Sequence, residues 1–328
     1  MFIDFSHVSR QFLNMVYFPI IYLITILWIR SEEWMRIFKV IMTVALISSV
    51  LNIIQFFASL YSIDILFVNT QFISWVDGIP QMRNASQGLI LSTLIISAVL
   101  LVIQPIQVRR RYLLACLIIL FLGFLVLYAR YSYVAVLASS ILLFIIVGWR
   151  PRLILIGILF TLSFLVVLSQ EHYLVAHLLE RVSSIYYGSN AQIVSGWRLG
   201  EYKAAAQAFL THPFFGTGIG AVYRDYFSVD IGDFGVRYVH SAPLWLLVNL
   251  GILGSLPFFW IITKTYRNLF QCDPYVVAFS MGIICWFLGT FFHPSWIANP
   301  ADGIVFGVLL SLVDLRKSEL RMNSDASA

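Results

Sequence analysis

The stretch that decides the fold is RRRYLLACLIILFLGFLVLYARYSYVAVLASSILLFIIVGWRPR, residues 109–152. Two apolar runs, 112–128 and 131–148, lie between basic ends, and Arg130 separates them. About 20 apolar residues are needed for a helix to cross the hydrocarbon core of a bilayer. The stretch therefore predicts two transmembrane helices joined by a tight turn, with both basic ends on one side of the membrane.

The whole chain has the same character. Of its 328 residues, 60% are hydrophobic and 11% are charged, and the mean hydropathy is +0.87. Soluble proteins carry about 25% charged residues, so a soluble enzyme, a disordered chain and a coiled coil are excluded. We predict an all-α integral membrane protein with nine transmembrane helices, at 11–29, 37–60, 85–104, 112–128, 131–148, 152–169, 241–263, 274–292 and 301–315.

The basic residues predict the orientation. The loops at 30–39, 109–111, 149–152 and 264–267, with the tail after 315, carry 13 of the 21 Lys and Arg residues. Cytoplasmic loops are enriched in Lys and Arg, so we expect these segments in the cytoplasm and the N-terminus outside. The same rule accounts for the net charge of +5 without nucleic acid as a partner.

The longest segment between spans is then extracytoplasmic. Helical spacing predicts helices at 171–187 and about 197–210, and His212-Pro213 is expected to end the second. The expected organisation is transmembrane helices one to six in 1–169, an extracytoplasmic helical loop in 170–240, helices seven to nine in 241–315 and a cytoplasmic tail in 316–328.

Two arginines on the expected outer side are candidates for binding an anion, because ionisable residues near a bilayer are costly to bury. Arg130 lies in the turn between two spans, and its alternative role is to snorkel to lipid headgroups. Arg198 lies near the start of the second loop helix, and its alternative role is to pair with Glu201 or Tyr202 one turn later.

Two histidines, His240 and His293, precede spans at the same face. Histidine titrates near neutral pH and can take a proton from a hydroxyl, so either is a candidate base. Either can equally be an interfacial residue, and composition does not separate the two.

The remaining signals are weaker. The turn Gly216-Thr217-Gly218-Ile219-Gly220 is expected to terminate a helix, although its backbone amides could contact a ligand. No metal site is expected. Asp230 and Asp233 could bind a divalent ion, but they are spaced like ordinary loop residues. The three cysteines have neither metal-ligand spacing nor a disulfide framework: Cys116, Cys272 and Cys285.

Three segments carry a family resemblance when they are taken together. They are Ala129-Arg130-Tyr131, then Arg198 with Pro213 and the Gly-x-Gly-x-Gly of 216–220, then His240 with the break Gly251-Ile252-Leu253-Gly254. In this order they resemble the bacterial O-antigen ligase and O-antigen polymerase family of polytopic membrane glycosyltransferases. The resemblance covers most of the chain from about 85 onward and is strongest over 190–260.

The resemblance implies a fold similar to GT-C glycosyltransferases. It also implies transfer of a glycan from undecaprenyl diphosphate to a sugar hydroxyl, without a metal or cofactor, at the outer face of the bacterial inner membrane. His240 would activate the acceptor, and Arg130 and Arg198 would hold the donor diphosphate. Supporting candidates are Gly218, Asn249 and His293. The chain departs from the family where Asn249 replaces a common acidic residue, and in having nine expected spans rather than about a dozen.

Several functions stay open at this point. The compact outer loop favours a polymerase of lipid-linked repeat units, and the alternatives within the family are ligation to lipid A core and protein O-glycosylation. Expected partners are the lipid-linked oligosaccharide, the glycan or lipid A core acceptor, membrane lipid and polysaccharide assembly proteins. A transporter or flippase would predict charged or broken helices in mid-membrane and internal symmetry. A non-catalytic scaffold would tolerate replacement of Arg130, Arg198 and His240.

Overall fold

A computed structural model describes residues 5–60, 70–76, 79–84, 87–103, 109–126, 130–146, 189–223, 239–291 and 300–326. Within these ranges the regular secondary structure is α-helical apart from a short 3-10 turn, Ser31–Glu33, and one β-hairpin. The helices are α1 Phe5–Trp28, α2 Trp34–Leu60, α3 Gln87–Ile103, α4 Arg110–Val126, α5 Arg130–Ile146, α6 Ser189–Thr211, α7 Ala242–Asn268, α8 Pro274–Thr290 and α9 Pro300–Ala326.

Eight of the nine predicted spans coincide with helices. The remaining one, 152–169, lies outside the described residues. Three described segments are long and apolar enough to cross a membrane: Gln11–Trp28, Ser31–Ala58 and Ala242–Asn268. Shorter apolar helices are Gln87–Ile103, Val134–Ile146 and Pro274–Thr290. The chain is therefore a helical membrane protein.

Of the two predicted loop helices, 171–187 lies outside the described residues, and the second is α6. It ends at Thr211 as predicted but begins earlier, at Ser189. The last helix also runs further than its predicted span, because α9 continues to Ala326.

A β-hairpin between α2 and α3 refines the all-α prediction. Strand β1, Thr70–Val76, pairs antiparallel with β2, Ile79–Asn84, with a register irregularity between Phe72 and Ser74. The two residues between the strands are Asp77-Gly78, a dipeptide typical of two-residue hairpin loops. The sequence therefore contained a hairpin signal that the span-based interpretation missed.

Helix α8 occupies the centre of the bundle and contacts α3, α5, α7 and α9. Fifteen of its 17 residues are buried, as expected for a helix that is apolar on every side. Trp286 of α8 stacks on Phe306 of α9 with ring centroids 4.6 Å apart. The helix begins where the carboxylate of Asp273 accepts from two first-turn amides, at 3.1 and 3.0 Å.

The outer helices of the bundle expose large apolar side chains. On α1, Leu27 and Trp28 are 75% and 83% exposed, and on α5 Leu137 and Ile145 are 60% and 64% exposed. An apolar surface of this kind suits contact with lipid.

An ion pair connects the second half of α9 to the turn before α8. Arg316 donates to Asp273 at 2.7 and 3.1 Å, and its guanidinium lies 5.0 Å from the ring of Trp34 and 5.6 Å from that of Tyr275. Glu319 accepts from Arg316 and Trp34. These contacts hold the beginnings of α2 and α8 against the second half of α9.

Candidate active site

The candidate site forms where α6 packs beside the beginning of α7. Helix α7 starts after Ser241, whose backbone is extended, and Pro243 lies in its first turn, where the missing proline amide has no cost. His240 thus lies two residues before the first residue of a helix that is long and apolar enough to cross a membrane. Helix α6 contains Ala204, Ala205 and Ala206, whose small side chains favour helix formation.

Glu201 of α6 binds His240 in two ways. Its Oε1 accepts from the His240 backbone amide at 2.6 Å, and its two carboxylate oxygens lie 3.1 and 3.0 Å from the ring Nδ1. The next residue, Tyr202, donates its hydroxyl hydrogen to the His240 carbonyl at 3.3 Å. Two consecutive α6 residues therefore fix both the backbone and the ring of His240.

The carboxylate also determines which ring nitrogen carries hydrogen. The Glu201 side chain is 0% exposed and that of His240 is 23% exposed. A buried carboxylate requires donors, and an ionised carboxylate can only accept, so Nδ1 carries the hydrogen. In the neutral ring the lone pair is then on Nε2, which is the arrangement of a general base oriented by an acid.

This pairing was not predicted. The sequence interpretation considered Glu201 or Tyr202 only as an alternative partner of Arg198, and the structure shows that both residues bond to His240. The family resemblance placed an acidic support at position 249. Asn249 is buried there and donates its side-chain amide to the Trp245 carbonyl within α7, at 2.8 Å. The acid beside His240 comes instead from α6, 39 residues earlier in the chain.

Gly251 interrupts the hydrogen-bond ladder of α7. Its φ of +66° and ψ of −172° are non-helical, a conformation open mainly to glycine. In an unbroken helix the amides of Ile252 and Leu253 would donate four residues back, to the carbonyls of Val248 and Asn249. Buried backbone groups that lose such partners need others.

The loop after α6 provides all four replacement partners. Backbone hydrogen bonds of 2.7–3.1 Å run from Ile252 N to Pro213 O, Leu253 N to Phe214 O, Thr217 N to Val248 O and Gly218 N to Asn249 O. The Thr217 hydroxyl also donates to the Val248 carbonyl, at 3.0 Å. The loop therefore fills the break in α7 and attaches α6 to it at a second point, beyond the Glu201–His240 contact.

This docking determines what the glycine-rich turn can do. The turn follows α6, which already ends at Thr211, and the Gly216 amide donates to the His212 carbonyl at 2.9 Å. The amides of Thr217 and Gly218 are used by α7, so these two amides are not available to a ligand. Gly218 thereby joins the loop to the broken helix.

The other predicted residues are located by their backbones or lie outside the described residues. Position 198 is in α6, one turn before Glu201, and position 130 is the first residue of α5. The side chains of Arg130 and Arg198 are not among those described, and His293 lies outside the described residues, as do Asp230 and Asp233.

Among the residues described, no three His, Cys, Asp or Glu side chains come together in a cluster that could hold a metal ion. All three cysteines are free thiols; Cys116 and Cys285 are buried and Cys272 is exposed.

Two glycines of the turn offer a matched test of the docked loop. Both have positive φ, +73° at Gly216 and +89° at Gly218, so alanine strains either backbone by about 1–3 kcal/mol. Only at Gly216 does an added Cβ meet other atoms, the backbone of Asn249 and Gly251. We expect Gly216→Ala to lower stability by at least ~2 kcal/mol more than Gly218→Ala, because it also displaces the loop from its hydrogen bonds.

The measurement is thermal unfolding of both variants in detergent, with protein level in the membrane as a second readout. Gly218→Ala is the control, since the added Cβ has nothing within 4 Å among the residues described. Equal losses for the two variants would mean that backbone strain alone matters and that the docked loop contributes little.

Comparison with known proteins finds one similarity to a described family. No curated protein matches the chain. Residues 115–259, somewhat less than half of the chain, match the family model described as O-antigen ligase. The matched range includes Arg130, Arg198, Glu201, His240 and the Gly251 break. Over this region the chain is similar to the O-antigen ligase family.

Proposed function

We propose that the chain is a surface-polysaccharide polymerase that transfers a glycan from undecaprenyl diphosphate to a sugar hydroxyl. The family similarity supports the coarser statement that it is a bacterial membrane glycosyltransferase-like enzyme of surface-polysaccharide synthesis, acting on lipid-linked glycans. The observation that carries the finer proposal is the Glu201–His240 pair at the start of α7. A fixed, partly exposed imidazole beside a membrane helix suits the activation of a hydroxyl.

The proposed reaction is a single displacement. The acceptor oxygen attacks the anomeric carbon of the donor sugar, and the bond from that carbon to the diphosphate oxygen breaks. Nε2 of His240 takes the acceptor proton, and undecaprenyl diphosphate leaves with the bonding electron pair. Glu201 stabilises the imidazolium that results, because a carboxylate beside Nδ1 favours the charged ring.

The leaving diphosphate gains negative charge, which must be neutralised. We assign this role to Arg130 and Arg198, since guanidinium groups bind phosphate oxygens through paired, charge-assisted hydrogen bonds. Support comes from position: residue 198 lies one helical turn before Glu201 on α6. The proposal includes no metal ion and no cofactor.

The proposed setting is the bacterial inner membrane, with 170–240 in the periplasm and 316–328 in the cytoplasm, on a scaffold similar to GT-C glycosyltransferases. The second candidate function is ligation of the glycan to lipid A core. It is favoured by the description of the matching family, O-antigen ligase. A transporter is disfavoured by the same match.

Replacing the arginines tests the donor site. We expect Arg198→Ala and Arg130→Ala each to lower glycan transfer by about 10²–10³-fold, the usual effect of removing one group that stabilises transition-state charge. Arg198→Lys keeps the charge but loses the paired geometry, so we expect an intermediate loss. The measurement is transfer by membrane-reconstituted enzyme from an undecaprenyl-diphosphate-linked oligosaccharide, with a chelator present throughout.

The matched control is Lys203→Ala, a basic and exposed position of α6, which should retain transfer. The product separates the two candidate functions: a ladder of longer lipid-linked glycans indicates a polymerase, and glycan on added lipid A core indicates a ligase. Normal transfer by both arginine variants at normal protein level would refute the proposed donor site.

A further inference from the structure

A basic cavity lies at the other end of α7 from His240. Its volume is about 420 Å³, and it is lined by residues of α1, α7, α9 and the turn after α1. Three cations line it, Lys264, Lys317 and Arg321, with one acid, Asp314. Apolar side chains complete the wall: Ile26, Ile29 and Leu315. The cavity therefore combines a cationic lining with an apolar lining.

The carboxylate of Asp314 in this cavity already accepts hydrogen bonds from neighbouring side chains. Both Asp314 oxygens accept from Lys264, at 3.0 and 2.9 Å, and one of them also accepts from the Tyr22 hydroxyl at 2.7 Å. Lys317 donates to a neutral acceptor, the Asn268 side-chain oxygen, at 2.8 Å. Of the three cations in the lining, one is balanced by Asp314, which leaves an excess of two positive charges.

The crowding of these cations has an energetic consequence. Burial lowers the pKa of Lys317. Asp314 raises it, and the neighbouring charges of Lys264 and Arg321 lower it further. Like charges gathered around a partly buried lysine are unfavourable unless an anion joins them. The geometry and the charge both favour an anionic ligand.

Exposed tryptophans show the level of the cavity in the membrane. Trp28 ends α1 beside the cavity and is 83% exposed, and Trp260 is 65% exposed on α7. The Lys264 ammonium lies 5.8 Å from the Trp260 ring centroid. Tryptophan is enriched at the level of lipid headgroups, which places the cations where headgroup phosphates lie.

We propose that this cavity binds the phosphodiester headgroup of an anionic phospholipid, with the start of its acyl chains against the apolar wall. Basic pockets between transmembrane helices bind lipid headgroups in this way. The ligand belongs to the leaflet opposite His240. The site does not depend on the proposed glycan transfer, and its failure would leave that proposal intact.

The experiment titrates the purified full-length protein in detergent with phosphatidylglycerol, or with phosphatidylcholine of the same acyl chains, and follows lipid adducts by native mass spectrometry. We expect wild type to prefer phosphatidylglycerol. Each basic residue near a headgroup contributes a factor of about five, so the double variant Lys317→Gln, Arg321→Gln should bind phosphatidylglycerol about thirtyfold more weakly. Its affinity for phosphatidylcholine should not change.

The control removes two positive charges from a second cavity at the same end of the bundle, with Lys39→Gln and Arg109→Gln, and should keep the preference. Thermal unfolding without lipid checks that both double variants are folded. Equal affinity of wild type for the two lipids, or equal losses in the two double variants, overturns the proposal. Displacement of the lipid by inorganic phosphate at millimolar concentration would assign the cavity to free phosphate instead.

Discussion

His240→Ala is expected to reduce glycan transfer by at least 10²-fold, and by up to about 10⁴-fold, because it removes the proposed general base. The more informative variant is His240→Asn. An asparagine side-chain amide can donate to the Glu201 carboxylate in place of Nδ1, so the buried acid keeps a donor. It has no basic nitrogen in the place of Nε2. We therefore expect His240→Asn to fold and to be as inactive as the alanine variant.

The measurement is glycan transfer by membrane-reconstituted protein, together with restoration of polymer in a polymer-deficient strain. His212→Ala is the matched control: this histidine is exposed just after α6, and we expect normal activity. Loss of activity in His293→Ala with full activity in His240→Asn would assign the general base to His293 and not to His240. Normal polymer in His240→Ala, His240→Asn and His293→Ala alike would refute a base at either histidine.

The parts of the fold that were predictable follow from local patterns. Apolar runs of about 20 residues indicate membrane helices without knowledge of their neighbours, which is why eight predicted spans match helices. The end of α6 at Thr211 and the break at Gly251 were likewise signalled by His212-Pro213 and by the paired glycines, since proline and glycine act on the local backbone.

The centre of the candidate site was not predictable in this way. Glu201 and His240 are 39 residues apart, and their contact depends on α6 lying against the start of α7. The same holds for the loop at Gly216, whose hydrogen bonds to α7 exist only because Gly251 breaks that helix. In sequence, Glu201 resembled an ordinary exposed helix residue, and only its complete burial indicates a different role.

Glu201→Gln is expected to lower kcat by about 10²–10⁴-fold with little change in KM, because it reverses the hydrogen bond that fixes the ring. Glutamine can still accept from the His240 backbone amide through its oxygen. Its amide nitrogen then faces Nδ1 and donates to it, so the hydrogen of the neutral ring moves to Nε2. Replacing the acid by its amide in a catalytic triad costs about 10⁴-fold for this reason.

Two further variants separate a positioning role from a merely structural one. Tyr202→Phe removes the bond to the His240 carbonyl but leaves the carboxylate in place, so we expect at most a severalfold loss. Glu201→Asp keeps the charge on a shorter side chain and should recover part of the activity that Glu201→Gln loses. A structural role predicts the opposite order, since the larger glutamine fills the buried space better than aspartate does. If Glu201→Gln retains kcat while Glu201→Asp loses it, Glu201 only packs α6 against α7, and the base requires another support.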